Sequence, residues 1–280
     1  MSIIRAEGVS KKYLINHKTG KNTSRTLKEA FSETIKHGFG KQTSEEADSK
    51  EIFWALKDVS FDIQQGDRVG IIGSNGAGKS TLLRLIVGLE PPTEGSIEIG
   101  KHNVIPSYFE QNQAEALDLT KTVLNTIHDE VPDWKDVEVR SLLGRFLFSG
   151  ETVLKKVESL SGGEKARLAL AKMLLAPANL LILDEPTNHL DIPAKEMLES
   201  ALKVYEGTVL IVSHDRYFIS QVANKIVEIR DGELIAYAGD YHYYLEKLDE
   251  EKQKAEQKRI EAEKAVKAAA KRAKQKAKKG

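Results

Sequence analysis

Nine consecutive residues, Gly73-Ser74-Asn75-Gly76-Ala77-Gly78-Lys79-Ser80-Thr81, fit the spacing G-x-x-x-x-G-K-[ST]. The chemistry this spacing supports is the binding of a phosphate chain. Glycines let the backbone curl so that several N–H groups face one anion, and a helix opening at Lys79 adds its positive end. Lys79 then reaches the β- and γ-phosphates, and the Ser80 hydroxyl ligates Mg²⁺. The plain alternative is a glycine-rich turn that binds nothing. The full pattern, set between an apolar stretch at 68–72 and a helical stretch from Lys79, argues against it.

The partners such a loop needs lie downstream. Residues 180–183 are Leu-Leu-Ile-Leu and run into Asp184-Glu185. At the end of a buried strand, Asp184 can hold Mg²⁺ through water, and Glu185 can polarise an attacking water as general base. Alone, the pair reads as a solvated acidic turn; a phosphate loop upstream shifts the balance. His214 follows a second apolar run at 209–212 and is a candidate to bond a γ-phosphate and orient Glu185. Gln111 is a candidate contact for Mg²⁺ and the attacking water, with Gln113 a weaker one. Leu160-Ser161-Gly162-Gly163-Glu164 is a second glycine-rich helix start. It is either a further anion-binding end or simply a capped helix, with Ser161 as N-cap and Glu164 closing a capping box.

These residues need strands and helices to hold them. The all-apolar runs at 68–72, 180–183 and 209–212 suit a parallel sheet covered on both faces. Residues 54–63, 96–99 and 104–109 alternate more and suit antiparallel strands. Asp231-Gly232 between 226–230 and 233–237 is a hairpin signal. Residues 120–178 are mostly helical, and a first strand ends near Tyr13. Between them, residues 14–51 form a polar insertion in which Leu27, Phe31 and Ile35 mark a short amphipathic helix, with Ser24 or Thr26 as its cap.

Composition narrows the class. The chain has 280 residues, 42 Lys+Arg against 42 Asp+Glu, and no cysteine. Disulfides and thiolate metal sites are excluded. No apolar run is long enough to span a bilayer, and the N-terminus lacks a secretory pattern. The expectation is a cytoplasmic protein. Its zero net charge hides an asymmetry: residues 264–280 hold eight Lys or Arg and no acid, leaving 34 basic against 42 acidic groups elsewhere. Lysine and alanine there favour helix, so 248–280 reads as a charged helical or disordered tail. A basic helix of this kind suits a phosphate backbone, ribosomal RNA among the candidates; a solvated terminus is the alternative.

Taken in order, these motifs resemble the ATP-binding cassette superfamily. The phosphate loop at 73–81, Gln111, LSGGE at 160–164, the acid pair, Asn188-His189-Leu190-Asp191 and His214 all stand in the family's sequence. The resemblance implies an α/β P-loop NTPase fold with a RecA-like core, an antiparallel β subdomain, a helical subdomain over roughly 114–164 and a basic C-terminal helix. Residues 1–247 would be the nucleotide-binding domain. The resemblance also implies ATP and Mg²⁺ as ligands and a head-to-tail pair of cassettes. Ser161, Gly162 and Gly163 of one would cap the γ-phosphate held by the other. Adenine would stack on an aromatic ring ahead of the loop: Tyr13 is preferred by position, Trp54 second because it heads a core-like strand.

The two parts of the chain resemble different families. Residues 1–82, with Val9-Ser10-Lys11-Lys12-Tyr13, the insertion and Phe53-Trp54-Ala55-Leu56-Lys57-Asp58, resemble the ATPase subunits of polysaccharide exporters of the O-antigen and teichoic-acid type. From about Leu83 onward the chain resembles the second cassette of ABC-F proteins. The carrying residues are Leu89-Glu90-Pro91-Pro92-Thr93-Glu94-Gly95, LSGGE with Lys165-Ala166-Arg167, Asp184-Glu185-Pro186-Thr187-Asn188-His189-Leu190-Asp191 and Ser213-His214-Asp215-Arg216-Tyr217-Phe218. The expectation is a fusion of two cassettes, joined inside or just after the phosphate loop. Three roles follow: a ribosome-associated ABC-F-like ATPase, an exporter subunit docked on a membrane permease, or a nucleotide-binding module with weak hydrolysis.

Overall fold

A computed structural model describes residues 2–16, 50–100, 103–110, 113–188 and 190–277. The amphipathic segment around Leu27, Phe31 and Ile35, and Gln111, lie outside these residues. The chain divides into two compact units, Met1–Gln64 with Gly73–Val104 and Ile229–Leu234, and Gln65–Ile72 with Ile105–Glu228 and Ile235–Gly280.

The first unit is built on an antiparallel sheet of β1 (Ser2–Asn16), β2 (Lys50–Gln64) and β4 (Glu94–Ile99), in the order β2-β1-β4. β1 is central, and Ile4 pairs with Ile63 on one side and Ile99 on the other. One face is buried through Ile4, Ala6, Val9, Leu56 and Val59, as the alternation of a one-sided sheet requires. Helix α1 (Lys79–Ile86) lies against β4 and buries Leu82, Leu83, Leu85 and Ile86. β1 runs three residues past Tyr13 and pairs Asn16 with Lys50, so the hairpin arms reach further into the insertion than the sequence suggests.

The second unit contains most of a six-stranded sheet. After β3 (Arg68–Gly73), its strands are β5 (Pro106–Phe109), β6 (Leu180–Asp184), β7 (Thr208–Val212), β8 (Lys225–Arg230) and β9 (Glu233–Tyr237), ordered β5-β6-β7-β3-β8-β9. β3, β6 and β7 pair in parallel, and every residue of β6 and β7 is buried. β5 departs from expectation. It pairs in parallel with β6, Phe109 opposite Leu183, rather than antiparallel. Its alternation reflects its place at the sheet's edge, where one face is left partly open. The β8–β9 turn is as the sequence indicates: Asp231 and Gly232 both have positive φ, 54° and 81°, the primed geometry that matches strand twist.

Helices α2 (Val123–His128), α3 (Asp136–Arg145) and α4 (Gly162–Leu175) fill the stretch read as helical, with 3₁₀ turns between them. Val139, Leu143, Phe146 and Phe148 join Leu168 and Leu170 of α4 in a core that continues to Leu181 and Leu183 of β6. Helix α5 (Ile192–Lys203) links β6 to β7, the crossover expected of parallel strands, and α6 (Arg216–Val222) follows β7.

The last helix, α7 (Tyr241–Ala277), spans 37 residues. Asp240 opens it by accepting from the His242 and Tyr243 backbone N–H groups at 3.0 Å each. Its root is buried: the Tyr244 ring meets Tyr237 edge-on at 5.0 Å, and Tyr241 and Leu248 pack beside it. Residues 251–264 are exposed throughout.

Candidate active site

In the first unit, the loop between β3 and α1 has the shape of an anion cradle. Gly78 sits at the helix cap with φ 96° and ψ 10°. A Cβ there would come within 2.4 Å of the Ala55 carbonyl oxygen, so only glycine fits. A Cβ on Gly73 would lie 2.7 Å from the Ile229 carbonyl oxygen. Gly76 has φ 80°, and Ser74, Asn75 and Gly76 are exposed at the tip. The Lys79 side chain is buried and donates to the Gly73 and Ser74 carbonyls at 2.8 and 3.0 Å, which holds the ammonium across the mouth of the loop. Ser80 and Thr81 lie in the first turn of α1, where backbone N–H groups favour anions. The donor set of this loop is what a phosphate chain requires.

Tyr13 is half-buried, and its hydroxyl donates to Glu90 Oε2 at 2.7 Å. Arg84, in the last turn of α1, grips the other oxygen of Glu90 at 2.7 Å, and the Lys11 ammonium stands 3.2 Å from Oε2. Lys11 also lies 5.4 Å above the Tyr13 ring. Burial pushes the Glu90 carboxyl up, but the bonds from Tyr13 and Arg84 outweigh it and hold the group below its ordinary value. Burial, then the bond to Glu90, raises the Tyr13 hydroxyl. Trp54 is not the core residue its strand suggested. It is 37% exposed, with the Lys12 ammonium 5.4 Å over its ring.

In the second unit, β6 delivers Asp184 and Glu185, which are buried at 6% and 8% exposure. Glu185 has φ 52°, a conformation unusual for a side-chain-bearing residue, and its N–H donates to the Val212 carbonyl at 2.8 Å. This ties the acid turn to the end of β7. The His214 backbone N–H donates to Glu185 Oε2 at 3.2 Å, and His214 Nε2 stands 3.4 Å from Oε1. The structure thus brings these two sequence candidates together. Neighbouring contacts brace the pair. Thr187 and Ser213 share a hydroxyl hydrogen bond of 3.0 Å, and Asp215 caps α6 while pairing with Lys195 at 2.6 Å. Burial raises the Asp215 carboxyl, but the Lys195 bond prevails and holds it low.

Ser161 caps α4. It accepts from the Glu164 N–H at 3.3 Å, and Glu164 accepts from the Ser161 N–H at 2.8 Å. The capping-box reading therefore holds, and it leaves Ser161 and Gly162 exposed, so the same helix end presents its N–H groups outward. Gln113 begins a 3₁₀ turn. Among the described residues no cluster of three or more His, Cys, Asp or Glu is arranged to hold a metal ion.

Two contacts escaped the sequence reading. One is the Glu90 cluster around Tyr13. The other joins Arg167 of α4 to Asp191, the N-cap of α5, at 3.0 Å. Arg84 and Glu90, six residues apart across a helix end, were the available signal for the first. No local signal marks the second.

Residues 56–188 match the family described as ABC transporter. The fold matches a solved dimeric, post-hydrolysis structure of the ATP-binding cassette MJ0796 bound to ADP and Pi, with a TM-score of 0.57 and 22% identity, over 82% of this chain and 96% of that one. The chain thus resembles an ABC-type ATPase cassette. Within that class it resembles the ABC-F proteins. It is 54% identical to ABC transporter F family member 5 of Arabidopsis thaliana over 77% of this chain and 31% of that protein. It is 52% identical to the putative ATP-binding protein YdiF of Bacillus subtilis over 70% of this chain and 30% of that protein. The chain thus spans about a third of the curated relatives it matches.

Proposed function

We propose that this chain binds ATP with Mg²⁺ and hydrolyses it, as a cytoplasmic ABC-F-like factor that pairs with a second cassette and acts on the ribosome. The observation that carries the catalytic part is the Glu185–His214 pair, a buried carboxylate held 3.2 Å from the histidine N–H and 3.4 Å from its imidazole. Glu185 takes the proton of the attacking water, and His214 orients the carboxylate and the γ-phosphate. Lys79 and the loop N–H groups offset the charge on the phosphates. Ser80, Asp184 and Gln111 are the residues that would hold Mg²⁺, which would supply further charge neutralisation on the phosphates. Tyr13 takes the adenine ring.

The exposed N-terminus of α4 supports the pairing. Ser161, Gly162 and Gly163 are assigned to cap a γ-phosphate held by the partner cassette, in the manner of a helix-end anion site. The ribosomal role rests on the ABC-F resemblance and on the basic end of α7.

One variant tests these assignments. Glu185→Gln keeps the shape of the base and removes its basicity. Phosphate release should fall by at least about a hundredfold, while ATP binding by equilibrium dialysis persists. Unchanged turnover would remove Glu185 from the chemistry. Fractionation of cells expressing this variant, with ATP present, tests the role. Recovery with ribosomes supports it. Recovery with membranes instead favours an exporter subunit on a permease, and free monomer favours a nucleotide-binding module.

A further inference from the structure

Glu90 lies outside the phosphate loop and outside the Glu185–His214 pair, yet three polar groups converge on it. It accepts from the Tyr13 hydroxyl and from the Arg84 guanidinium at 2.7 Å each, and it faces the Lys11 ammonium at 3.2 Å. The Lys11 ammonium also donates to the Pro91 carbonyl at 2.8 Å, which anchors the chain that follows Glu90. The cluster is half-buried: the Lys11, Arg84 and Glu90 side chains are 12%, 26% and 19% exposed. Two cations and one phenol therefore share one carboxylate in a region of reduced dielectric, where each contact is stronger than at the open surface.

The geometry joins two elements that must cooperate. Tyr13 is on β1. Arg84 is on the last turn of α1, whose first turn carries Lys79, Ser80 and Thr81. The Thr81 side chain also bears on the Tyr13 hydroxyl. Glu90 is thus the hinge pin between the aromatic ring and the helix that follows the phosphate loop. A tyrosine ring alone turns about two side-chain bonds. One tethered at its hydroxyl and covered by a cation on one face has its plane set in advance.

We propose that Glu90 is a positioning residue that fixes the Tyr13 ring at the height and tilt needed to stack a nucleobase on a phosphate chain held by 73–81. The inference rests on the reading of Tyr13 as the base platform and deepens it. Glu90 itself touches no nucleotide. Its effect is specific to the base: it sets how much the adenine adds to binding, and leaves the phosphate chain's own contribution alone.

The test compares ATP with inorganic triphosphate, which has the charge but no base, by calorimetric titration of the wild-type chain and four variants. The readout is the ratio of the two dissociation constants. In the wild type, base stacking should make ATP bind more tightly than triphosphate by about tenfold or more. Tyr13→Ala should bring that ratio close to one. Glu90→Ala should lower it by about fivefold, while Glu90→Gln, which still accepts from the tyrosine hydroxyl, should restore most of it. The double variant Tyr13→Ala/Glu90→Ala should lose no more than Tyr13→Ala alone, since the two act as a unit. General loss of folding would weaken both ligands together and leave the ratio unchanged, so the ratio separates positioning from stability.

A wild-type-like ratio in Glu90→Ala, alongside a collapsed ratio in Tyr13→Ala, overturns the role of Glu90 and leaves the base platform standing. A ratio unaffected by Tyr13→Ala overturns the platform itself, and the role of Glu90 with it. Further loss in the double variant beyond Tyr13→Ala also overturns the proposal, because Glu90 would then act on the base through another route.

Discussion

A methyl group on Gly78 would sit 2.4 Å from the Ala55 carbonyl oxygen, at a backbone φ of 96° that side-chain-bearing residues rarely adopt. Both objections act at one position, so Gly78→Ala should displace the start of α1 and cost more than about 1 kcal/mol in stability. The expected outcome is a lower urea midpoint and an ATP affinity weakened at least about tenfold; a variant that binds ATP normally would deny that the cradle needs this glycine. At this scale much was legible. The glycines, Lys79 and the Ser161–Glu164 cap declare themselves because each acts within a few residues of itself. The partner of Tyr13 did not, because Glu90 lies 77 residues away and only the register of the first sheet brings it near. The pairing of Glu185 with His214 falls between. Both residues stand out by position, but their contact depends on a positive φ at Glu185, which no residue pattern announces.

Helix α4 shows how one element can serve two purposes. Its capping box satisfies the backbone N–H of Ser161 with the Glu164 carboxylate, yet Gly162 stays exposed. The Ser161 backbone N–H holds the Glu164 carboxyl below its ordinary value of 4.5, against a smaller push from burial. A depressed carboxyl contributes stability that is fully present above the unfolded-state value and is lost as pH falls through the folded one. Acidification from about pH 4.5 downward should therefore weaken this cap. Glu164→Gln should flatten the acid limb of a melting-temperature-against-pH curve, and Ser161→Ala should cost about 1 kcal/mol at neutral pH. An acid limb identical in Glu164→Gln would place the pH sensitivity elsewhere. Among strands, the buried runs of β6 and β7 could be read from composition alone. β5 could not, since a four-residue edge strand carries too few side chains to distinguish an open face from an antiparallel partner.

Across the whole molecule, the balance of 42 basic and 42 acidic groups says less than its distribution. The basic surplus is gathered in residues 264–280, on the last turns of α7 and the residues beyond it. Counterion release predicts the consequence for RNA. If the chain acts on ribosomes as proposed, that binding should fall steeply as salt rises from 50 to 200 mM, by about tenfold or more, and removal of 264–280 should abolish the dependence. A truncated chain with the same salt slope would locate the contact elsewhere. Sequence alone gave the charge and the helix-forming residues. It placed the boundary of the tail at 248, inside what proves to be one helix, because the change in polarity there is not a change in backbone structure. That continuity has a mechanical meaning. Tyr241, Tyr244 and Leu248 clamp the root, while the helix continues to Ala277, about 40 Å further on. A rod clamped at its root multiplies whatever happens there. A tilt of about 10° at the tyrosines would sweep the far end through about 7 Å, so small rearrangements of the core register as long strokes at the lysines.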